Sequence, residues 1–359
     1  MDSTFIKLES VRKSFGSVVA VDSVDLEIPK GAFFSLLGPS GCGKTTLLSM
    51  LGGLTHPTSG RILIDNVDVT AAPAHRRPTN MVFQSYAIFP HLSVADNIAY
   101  GLRRQGLTRA ERDRRVEGML EMIDLRGFGD RRPNQLSGGQ MQRIALARAL
   151  IVQPKVLLLD EPLSALDKRL RQNMQIELRA LQREVGITFV FVTHDQEEAL
   201  TLSDLVAVMS NGRVLQCSSP SELYETPVSR EVAEFVGEMN ILPAQVVSNS
   251  SGRIVVKMPS FGTVSFERVL PGINAGDNVL VAVRPEQFRI EESGGAAELP
   301  ITNRAYFGDR THLLLEAKGY PQPLLISVTA EQARRIRESK TPDRVAVRPD
   351  TENAVVLAS

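Results

Sequence analysis

Several kinds of residue and segment are scarce in this sequence of 359 residues. It has no tryptophan and only two cysteines, Cys42 and Cys217, which are too few for a disulfide framework or for a zinc site of their own. No apolar run approaches the roughly 20 residues that a membrane-spanning helix needs. The start of the chain carries Asp2 and Glu9 and lacks a basic segment followed by a long apolar one. It therefore predicts no secretory signal and indicates a reducing compartment.

Net charge is also lacking, because 41 basic residues balance 41 acidic ones. Such a chain has no overall field that would concentrate DNA, RNA or anionic lipid, and the sequence contains no unmixed basic patch. We therefore expect no nucleic-acid partner. Hydrophobic residues make up 43% and charged residues 23%, as in ordinary globular proteins, and the length suggests two or three domains.

The first part of the chain alternates short β-type runs with helical stretches, which favours an α/β fold with a largely parallel sheet. Residues 32–37, 156–159 and 187–192 are continuous apolar runs, as expected for strands buried on both faces at the centre of a sheet. Residues 93–126 and 137–150 have helical spacing. They predict a helical insertion at about residues 90–150.

The pattern changes after residue 237. Short alternating runs at residues 253–257, 278–284 and 323–326 are separated by Gly, Pro, Asn and Asp, which is typical of a small β-barrel or sandwich. Residues 281–286 are echoed by residues 345–350, so two related β units are plausible. We predict one domain over residues 1–237 and a second, all-β domain over residues 238–359.

A glycine-rich segment follows the first predicted central strand and precedes a helical run at residues 46–54. It fits the phosphate-loop pattern and consists of Gly38, Pro39, Ser40, Gly41, Cys42, Gly43, Lys44 and Thr45. Its glycines let the backbone wrap around phosphates, with main-chain NH groups and a helix N-terminus facing the negative charge. We expect Lys44 to reach the outer phosphates and the Thr45 hydroxyl to bind magnesium.

A second buried strand, residues 156–159, ends in the adjacent carboxylates Asp160 and Glu161. Beside a phosphate loop, Asp160 is placed to meet the magnesium shell and Glu161 to polarise a water against the γ-phosphate. A third motif consists of Leu136, Ser137, Gly138, Gly139 and Gln140 and opens a helix. It makes a second anion-binding N-terminus, and two chains are needed if it lies far from the first in the fold.

Together these motifs resemble the ATP-binding-cassette family, which implies an α/β P-loop NTPase cassette with a helical insertion. Residues 136–140 look like the family's signature motif, Gln84 like its Q-loop glutamine, residues 164–167 like its D-loop and His194 like its switch histidine. The resemblance implies catalytic roles for Glu161, His194, Lys44 and Gln84. It implies nucleotide contacts for a larger set, which is Phe15, Gly38, Pro39, Ser40, Gly41, Cys42, Gly43, Lys44, Thr45, Thr46, Ser137, Gly138, Gly139, Gln140 and Asp167.

The same resemblance implies the cofactors and the assembly. ATP and Mg²⁺ are the expected ligands, with Thr45, Gln84 and Asp160 at the metal and Phe15 stacked on adenine. Two cassettes are expected to face head to tail as a homodimer, so that each ATP lies between the phosphate loop of one chain and the signature of the other. Hydrolysis then reopens the closed dimer.

The order of domains is similar to the importer subfamily whose appended β domain is an OB-like TOBE module. Members power uptake of sugars, polyamines, ferric ion or phosphonates. The sequences of residues 84–91, 189–200 and 237–240 are most similar to those of the polyamine (spermidine/putrescine) branch. The resemblance implies two transmembrane permease subunits, a periplasmic solute-binding protein and a peripheral location on the cytoplasmic side of the bacterial inner membrane. It places Tyr86, Ile88 and Phe89 in the groove that receives a permease helix.

Other readings are an ATPase of the same family in DNA repair or translation, and a small-molecule P-loop kinase. The first class carries a long coiled-coil insertion or two cassettes, whereas residues 84–137 form a short interval and only one motif set is present. A kinase would have no use for the helix that begins at residue 137. Transport is favoured over both.

Overall fold

A computed structural model describes residues 4–250, 252–267, 271–291 and 297–358. The chain divides into two compact units, Met1–Pro220 and Ser221–Ser359. The strands of unit 1 are β1 (Thr4–Phe15), β2 (Val18–Pro29), β3 (Phe33–Leu37), β4 (Ser59–Ile64), β5 (Val67–Asp68), β6 (Thr79–Val82), β7 (Val156–Asp160), β8 (Thr188–Thr193), β9 (Leu205–Ser210) and β10 (Arg213–Ser218). Its helices are α1 (Lys44–Leu51), α2 (Val94–Ala99), α3 (Arg109–Met122), α4 (Gly138–Leu150), α5 (Lys168–Val185) and α6 (Gln196–Leu202).

Unit 1 contains the sheet that the sequence predicts. Its strand order is β10-β9-β3-β8-β7-β6, and the pairs β9-β3, β3-β8, β8-β7 and β7-β6 are parallel. Strands β3 and β8 are buried along their whole length, and β7 is buried except at Asp160. The expectation that these three runs lie at the centre of a largely parallel sheet is therefore confirmed. A separate antiparallel sheet has the order β2-β1-β4-β5.

The helical insertion contains α2, α3 and α4, and these helices pack around an apolar cluster of their own that includes Ile98, Leu120 and Ile144. Each helix has a side-chain N-cap, and α3 and α4 have complete capping boxes. Such caps satisfy backbone NH groups that would otherwise lack partners, which explains why these helices begin where they do.

Unit 2 holds the predicted β domain. Its elements are α7 (Pro220–Glu225, beginning one residue earlier), α8 (Arg230–Phe235), β11 (Asn240–Ser250), β12 (Arg253–Met258), β13 (Gly262–Phe266), β14 (Asn278–Val283), β15 (Phe288–Ile290), β16 (Ala297–Tyr306), β17 (Arg310–Leu315), β18 (Leu324–Thr329), α9 (Ala330–Glu338), β19 (Arg344–Pro349) and β20 (Val355–Ala358). The two sheets have the orders β13-β12-β11-β14-β20 and β15-β19-β16-β17-β18. The echoed segments at residues 281–286 and 345–350 overlap β14 and β19, which lie in different sheets.

The boundary between the units lies at residue 220, whereas the sequence predicts it at residue 237. The difference has a physical cause in the buried Arg284, which is 1% exposed. Its guanidinium donates to the carbonyl oxygens of Tyr224 at 2.8 Å and of Glu238 at 3.2 Å, and also to that of Val236. The segment before β11 is thereby held on unit 2. In the described residues, no helix is long and apolar enough to cross a membrane.

Candidate active site

The glycine-rich loop lies between β3 and α1, where only glycine fits at two positions. A Cβ atom on Gly38 would lie 2.2 Å from the carbonyl oxygen of Met209, and one on Gly43 would lie 2.3 Å from that of Ala20. Gly43 also has φ 104°, a left-handed conformation that side chains disfavour. Helix α1 begins at Lys44, two residues before the start that the sequence predicts, so its N-terminal NH groups border this loop.

Two side chains of this loop are buried. The Lys44 ammonium donates to the carbonyl oxygens of Gly38 at 2.6 Å and of Pro39 at 2.9 Å. Cys42 is 4% exposed and packs into the apolar core of unit 1. Its Sγ atom lies 3.7 Å from the Lys44 ammonium, so the thiol is buried beside that side chain. The nucleotide contact that the resemblance implies for Cys42 stays a prediction.

The two carboxylates at the end of β7 lie in different surroundings. The Thr45 hydroxyl donates to Oδ1 of Asp160 at 3.1 Å, which joins the start of α1 to β7. Burial raises the pKa of Asp160, the hydrogen bond from Thr45 opposes this shift, and the charge of Glu161 adds to it. Glu161 has φ 44°, so the chain turns at this residue and its carboxylate leaves the line of the strand.

Side chains from two other loops meet at Glu161. Nε2 of Gln84 donates to Oε2 of Glu161 at 3.3 Å and to the Ser164 hydroxyl at 3.2 Å. Nδ1 of His194 lies 3.3 Å from the same Oε2 atom. The structure thus brings together Gln84, Glu161 and His194, the first and last of which are 110 positions apart in the sequence. The contact of Ser164 with Gln84 was not predicted, since no sequence pattern signals it.

The signature residues lie at the start of α4. Ser137 is the N-cap: its hydroxyl accepts from the backbone NH of Gln140, and Oε1 of Gln140 accepts from the backbone NH of Ser137. A Cβ atom on Gly139 would lie 3.4 Å from Leu170 of α5. In the part of the chain that the structure describes, no hydrogen bond or ion pair joins residues 137–140 to residues 38–45.

Two further predicted residues are exposed. Phe15, at the end of β1, is 54% exposed, and the Lys13 ammonium lies 4.9 Å from the centre of its ring. Asp167 caps α5 through a hydrogen bond of 2.9 Å from the backbone NH of Leu170. Thr46 lies half-buried in the first turn of α1. None of these contacts tests a nucleotide role, which therefore stays a prediction.

The segment that follows Gln84, which the resemblance places in a permease groove, is partly buried in this chain. Tyr86 is 7% exposed and belongs to the core, where its hydroxyl donates to the carbonyl oxygen of Pro162 at 3.1 Å. Ile88 and Phe89 are half-buried. A separate groove of about 510 Å³ is lined by Leu54, Phe83 and Val152 among others, and Leu54 and Phe83 are exposed.

A phosphate loop after β3, a carboxylate pair at the end of β7 in the same parallel sheet and a capped glycine-rich helix define a P-loop ATPase of the cassette type. A family model described as ABC transporter matches residues 21–164, and one described as TOBE domain matches residues 281–357. The solved dimeric cassette MJ0796, in a post-hydrolysis state with ADP and Pi, is 34% identical with a TM-score of 0.53, covering 60% of this chain and 98% of its own.

Curated relatives match over most of the chain. The spermidine/putrescine import ATP-binding protein PotA of Mesorhizobium japonicum is 50% identical over 87% of this chain and 86% of its own length. PotA of Rubrobacter xylanophilus is 46% identical over 98% of this chain and 93% of its own length. The Fe(3+) ions import ATP-binding protein FbpC of Agrobacterium fabrum is 47% identical over 87% of this chain and 88% of its own length. The chain belongs to the ABC transporter family, as an ATP-hydrolysing subunit with a C-terminal TOBE domain.

Proposed function

We propose that this chain hydrolyses ATP to power import of a polyamine of the spermidine and putrescine class. The observation that carries the proposal is the similarity to PotA proteins over nearly the whole chain, including the β domain. Ferric ion is a second candidate solute, because the FbpC relative is 47% identical over a similar share. The chain itself need not touch the solute.

The residues present fit ATP. The loop offers a glycine cradle that a Cβ atom would fill at Gly38 and Gly43, with the N-terminus of α1 and Lys44 supplying positive charge. The exposed ring of Phe15 offers a face for the adenine. Ser40 and Gly41 are exposed on the loop, so their backbone NH groups are accessible to phosphate oxygens.

The residues also fit Mg²⁺, which prefers oxygen ligands and shares them with the phosphates of its nucleotide. Thr45, Asp160 and Gln84 would hold the ion, and the first two are already in contact. Elsewhere in the described residues, no cluster of three or more His, Cys, Asp or Glu side chains offers another metal site. When bound, the ion neutralises charge that develops on the phosphate oxygens.

In the proposed reaction, a water oxygen attacks the γ-phosphorus, the bond to the bridging oxygen breaks, and its electron pair leaves with ADP. Glu161 orients the water and accepts its proton, while Gln84 and His194 fix the carboxylate. Lys44 stabilises the charge on the outer phosphates.

A second copy of the chain completes the site in this proposal. Residues 137–140 have no hydrogen bond to the phosphate loop of their own chain in the described residues, and the solved relative MJ0796 is dimeric. Ser137 and Asp167, which are exposed, then face the nucleotide of the partner, together with the half-buried Gly138 and Gln140 and the backbone of Gly139. Two permease subunits and a periplasmic solute-binding protein complete the transporter, and the chain lies on the cytoplasmic face of the inner membrane.

The test is reconstitution in vesicles with the permease and binding protein from the neighbouring genes. Spermidine added with the binding protein should stimulate ATP hydrolysis, and ferric ion should not. Stimulation by ferric ion alone would make ferric ion the solute in place of a polyamine. Stimulation by neither would overturn the polyamine proposal.

A second arm tests the permease contact. Leu54→Ala combined with Phe83→Ala should preserve ATP affinity and reduce co-purification of the permease, because both exposed side chains line the 510 Å³ groove. Val67→Ala, at another exposed position of unit 1, is the matched control and should assemble normally. Normal assembly of the double variant would exclude this groove.

A further inference from the structure

Arg171 lies on α5, four residues after Asp167, and its guanidinium contacts two separate loops. Nη1 donates to Oδ2 of Asp195 at 2.9 Å, and Nη2 donates to the carbonyl oxygen of Leu166 at 3.1 Å. Nε is buried and lies 3.6 Å from Oε1 of Glu198, within ion-pair distance but without a hydrogen bond. The arginine therefore joins the turn at residues 164–167 to the segment that contains His194.

The segment around His194 is held on both sides of that residue. The Thr193 hydroxyl donates to Oε2 of Glu198 at 2.6 Å and accepts from the backbone NH of Asp195 at 2.9 Å. Oδ1 of Asp195 accepts from the backbone NH groups of Glu197 and Glu198 and caps α6. Since Arg171 binds Asp195 and approaches Glu198, it contributes to fixing the backbone on which His194 stands.

Glu198 needs a cation at this place. It is 3% exposed, and burial raises its pKa, a shift that the Thr193 hydrogen bond and the charge of Arg171 oppose. A buried carboxylate without a cation would carry a large desolvation cost. Arg171 offsets that cost and orients its fork toward the two loops at once, which a lysine cannot do with equal geometry.

Both loops that Arg171 joins touch the proposed base. Ser164, on the first turn, donates to the carbonyl oxygen of Glu161 at 2.9 Å, and His194, on the second, lies 3.3 Å from its carboxylate. The first turn also borders the signature helix, because Leu166 lies 3.8 Å from the position of a Cβ atom on Gly138. Arg171 thus joins Leu166, which lies near the start of α4, to Asp195, which follows His194.

We propose that Arg171 is a positioning residue for ATP hydrolysis, which sets His194 against Glu161 and couples that geometry to the turn at residues 164–167. This inference rests on the proposed function. Arg171 acts through His194 and makes no contact with the reacting atoms. Its loss should therefore change turnover while leaving nucleotide affinity nearly unaltered.

The test is a double-mutant cycle of Arg171→Met and His194→Ala in the full chain, with turnover and nucleotide affinity measured on each variant. Arg171→Met alone should lower kcat roughly tenfold or more, since a misplacement of about 1 Å can cost that much. In the His194→Ala background it should have almost no further effect, because groups that act as a unit are not additive. Arg171→Lys keeps the charge near Glu198 and should fold normally. Its kcat should lie between those of the wild type and of Arg171→Met.

Arg179→Met is the matched control on the same helix. Arg179 is also paired with a carboxylate, Asp204, but lies away from Glu161, so its loss should lower the melting temperature and leave kcat unchanged. An equal fold-loss from Arg171→Met in both backgrounds, or no loss in the wild-type background, would overturn the inference while leaving the ATPase proposal intact. Absence of hydrolysis by the wild-type chain would overturn the proposed function, and this inference with it.

Discussion

Nδ1 of His194 and Oε2 of Glu161 lie 3.3 Å apart, and Gln84 donates to the same carboxylate oxygen. Within the described residues, Oε1 of Glu161 accepts no hydrogen bond. The carboxylate is thus fixed by one oxygen while the other has no hydrogen-bond partner there, which suits a base acting on water. The left-handed backbone of Glu161 takes this residue off the line of β7.

Glu161→Gln should lower ATP turnover by about 10² or more, because an amide cannot accept the proton of the water. Nucleotide and metal binding should persist, since Thr45 and Asp160 keep their contact. An ATP-bound dimer should then accumulate, which size-exclusion chromatography with MgATP would detect. Glu184→Gln, at an exposed position of α5, serves as a control. Wild-type hydrolysis by Glu161→Gln would exclude the role of Glu161 as base.

The parts of the site that the sequence predicted are those that depend on neighbouring residues. The phosphate loop follows a strand that is apolar throughout and precedes a helix, so Gly38 and Lys44 are positioned by the local chain. The carboxylates that end β7 follow from another apolar strand in the same way. The parallel sheet then brings the ends of these strands to one edge.

Contacts between distant segments were not predictable. Tyr86 and Phe89 both look apolar in the sequence, yet Tyr86 is buried beneath Pro162 and Phe89 is half-exposed. The direction of the Cys42 side chain depends on the φ angles of its glycine neighbours, and Arg171 is one of many arginines on charged helices. Tertiary packing decides each of these, and periodicity carries no information about it.

Phe15→Ala should weaken ATP binding by about 1–3 kcal/mol, because the ring offers an exposed face for stacking on a base. Stability should hardly change, since the side chain is 54% exposed. Titration with a fluorescent ATP analogue measures the affinity. Phe15→Tyr should restore it, and Val67→Ala, also largely exposed, should leave it unaltered. Equal affinities of Phe15→Ala and the wild type would remove Phe15 from the site.

Cys42→Ala should cost about 1–2 kcal/mol of stability and leave ATP affinity unchanged, because the thiol is buried in the apolar core. In a Cys217→Ser background, a maleimide should label Cys42 slowly in the native protein and rapidly after denaturation. The bound adduct should abolish ATP binding, since Sγ lies 2.8 Å from the Cβ position of Gly38. Rapid native labelling would contradict the buried placement.

Magnesium binding should depend on pH through Asp160. Because burial raises its pKa, this carboxyl takes up a proton at a higher pH than an ordinary aspartate, and a protonated carboxyl is a poor metal ligand. Affinity for Mg²⁺ with ADP should therefore fall as the pH is lowered toward that raised pKa, and binding should release protons. Calorimetry in two buffers of different ionisation enthalpy measures the release.

Asp160→Asn is the control for the magnesium prediction. It should weaken metal binding at every pH and leave only the pH dependence that the nucleotide itself contributes. If the wild type and Asp160→Asn release the same number of protons, the carboxyl does not titrate on metal binding.

Arg148→Met should destabilise the turn that follows Gln84. Tyr86 and Ala87 have φ 61° and 45°, a conformation that costs a non-glycine residue about 1–2 kcal/mol. Arg148, on the signature helix α4, donates to the carbonyl oxygens of both residues at 2.8 Å. Hydrogen bonds from a charged donor contribute about 1.5–3 kcal/mol, so we expect a loss of about 2–3 kcal/mol in the free energy of unfolding, measured with urea.

Ala87→Gly tests the same strain from the other side. Glycine removes the left-handed penalty but adds backbone freedom to the unfolded chain, so a net gain of about 0.5 kcal/mol is expected. In the Arg148→Met background the gain should be larger, because the residues share one turn and their effects should not add.

Arg148→Met should also lower ATP turnover beyond its effect on stability, since Gln84 lies two residues before the released turn. Unchanged stability of Arg148→Met would show that the turn holds without this arginine.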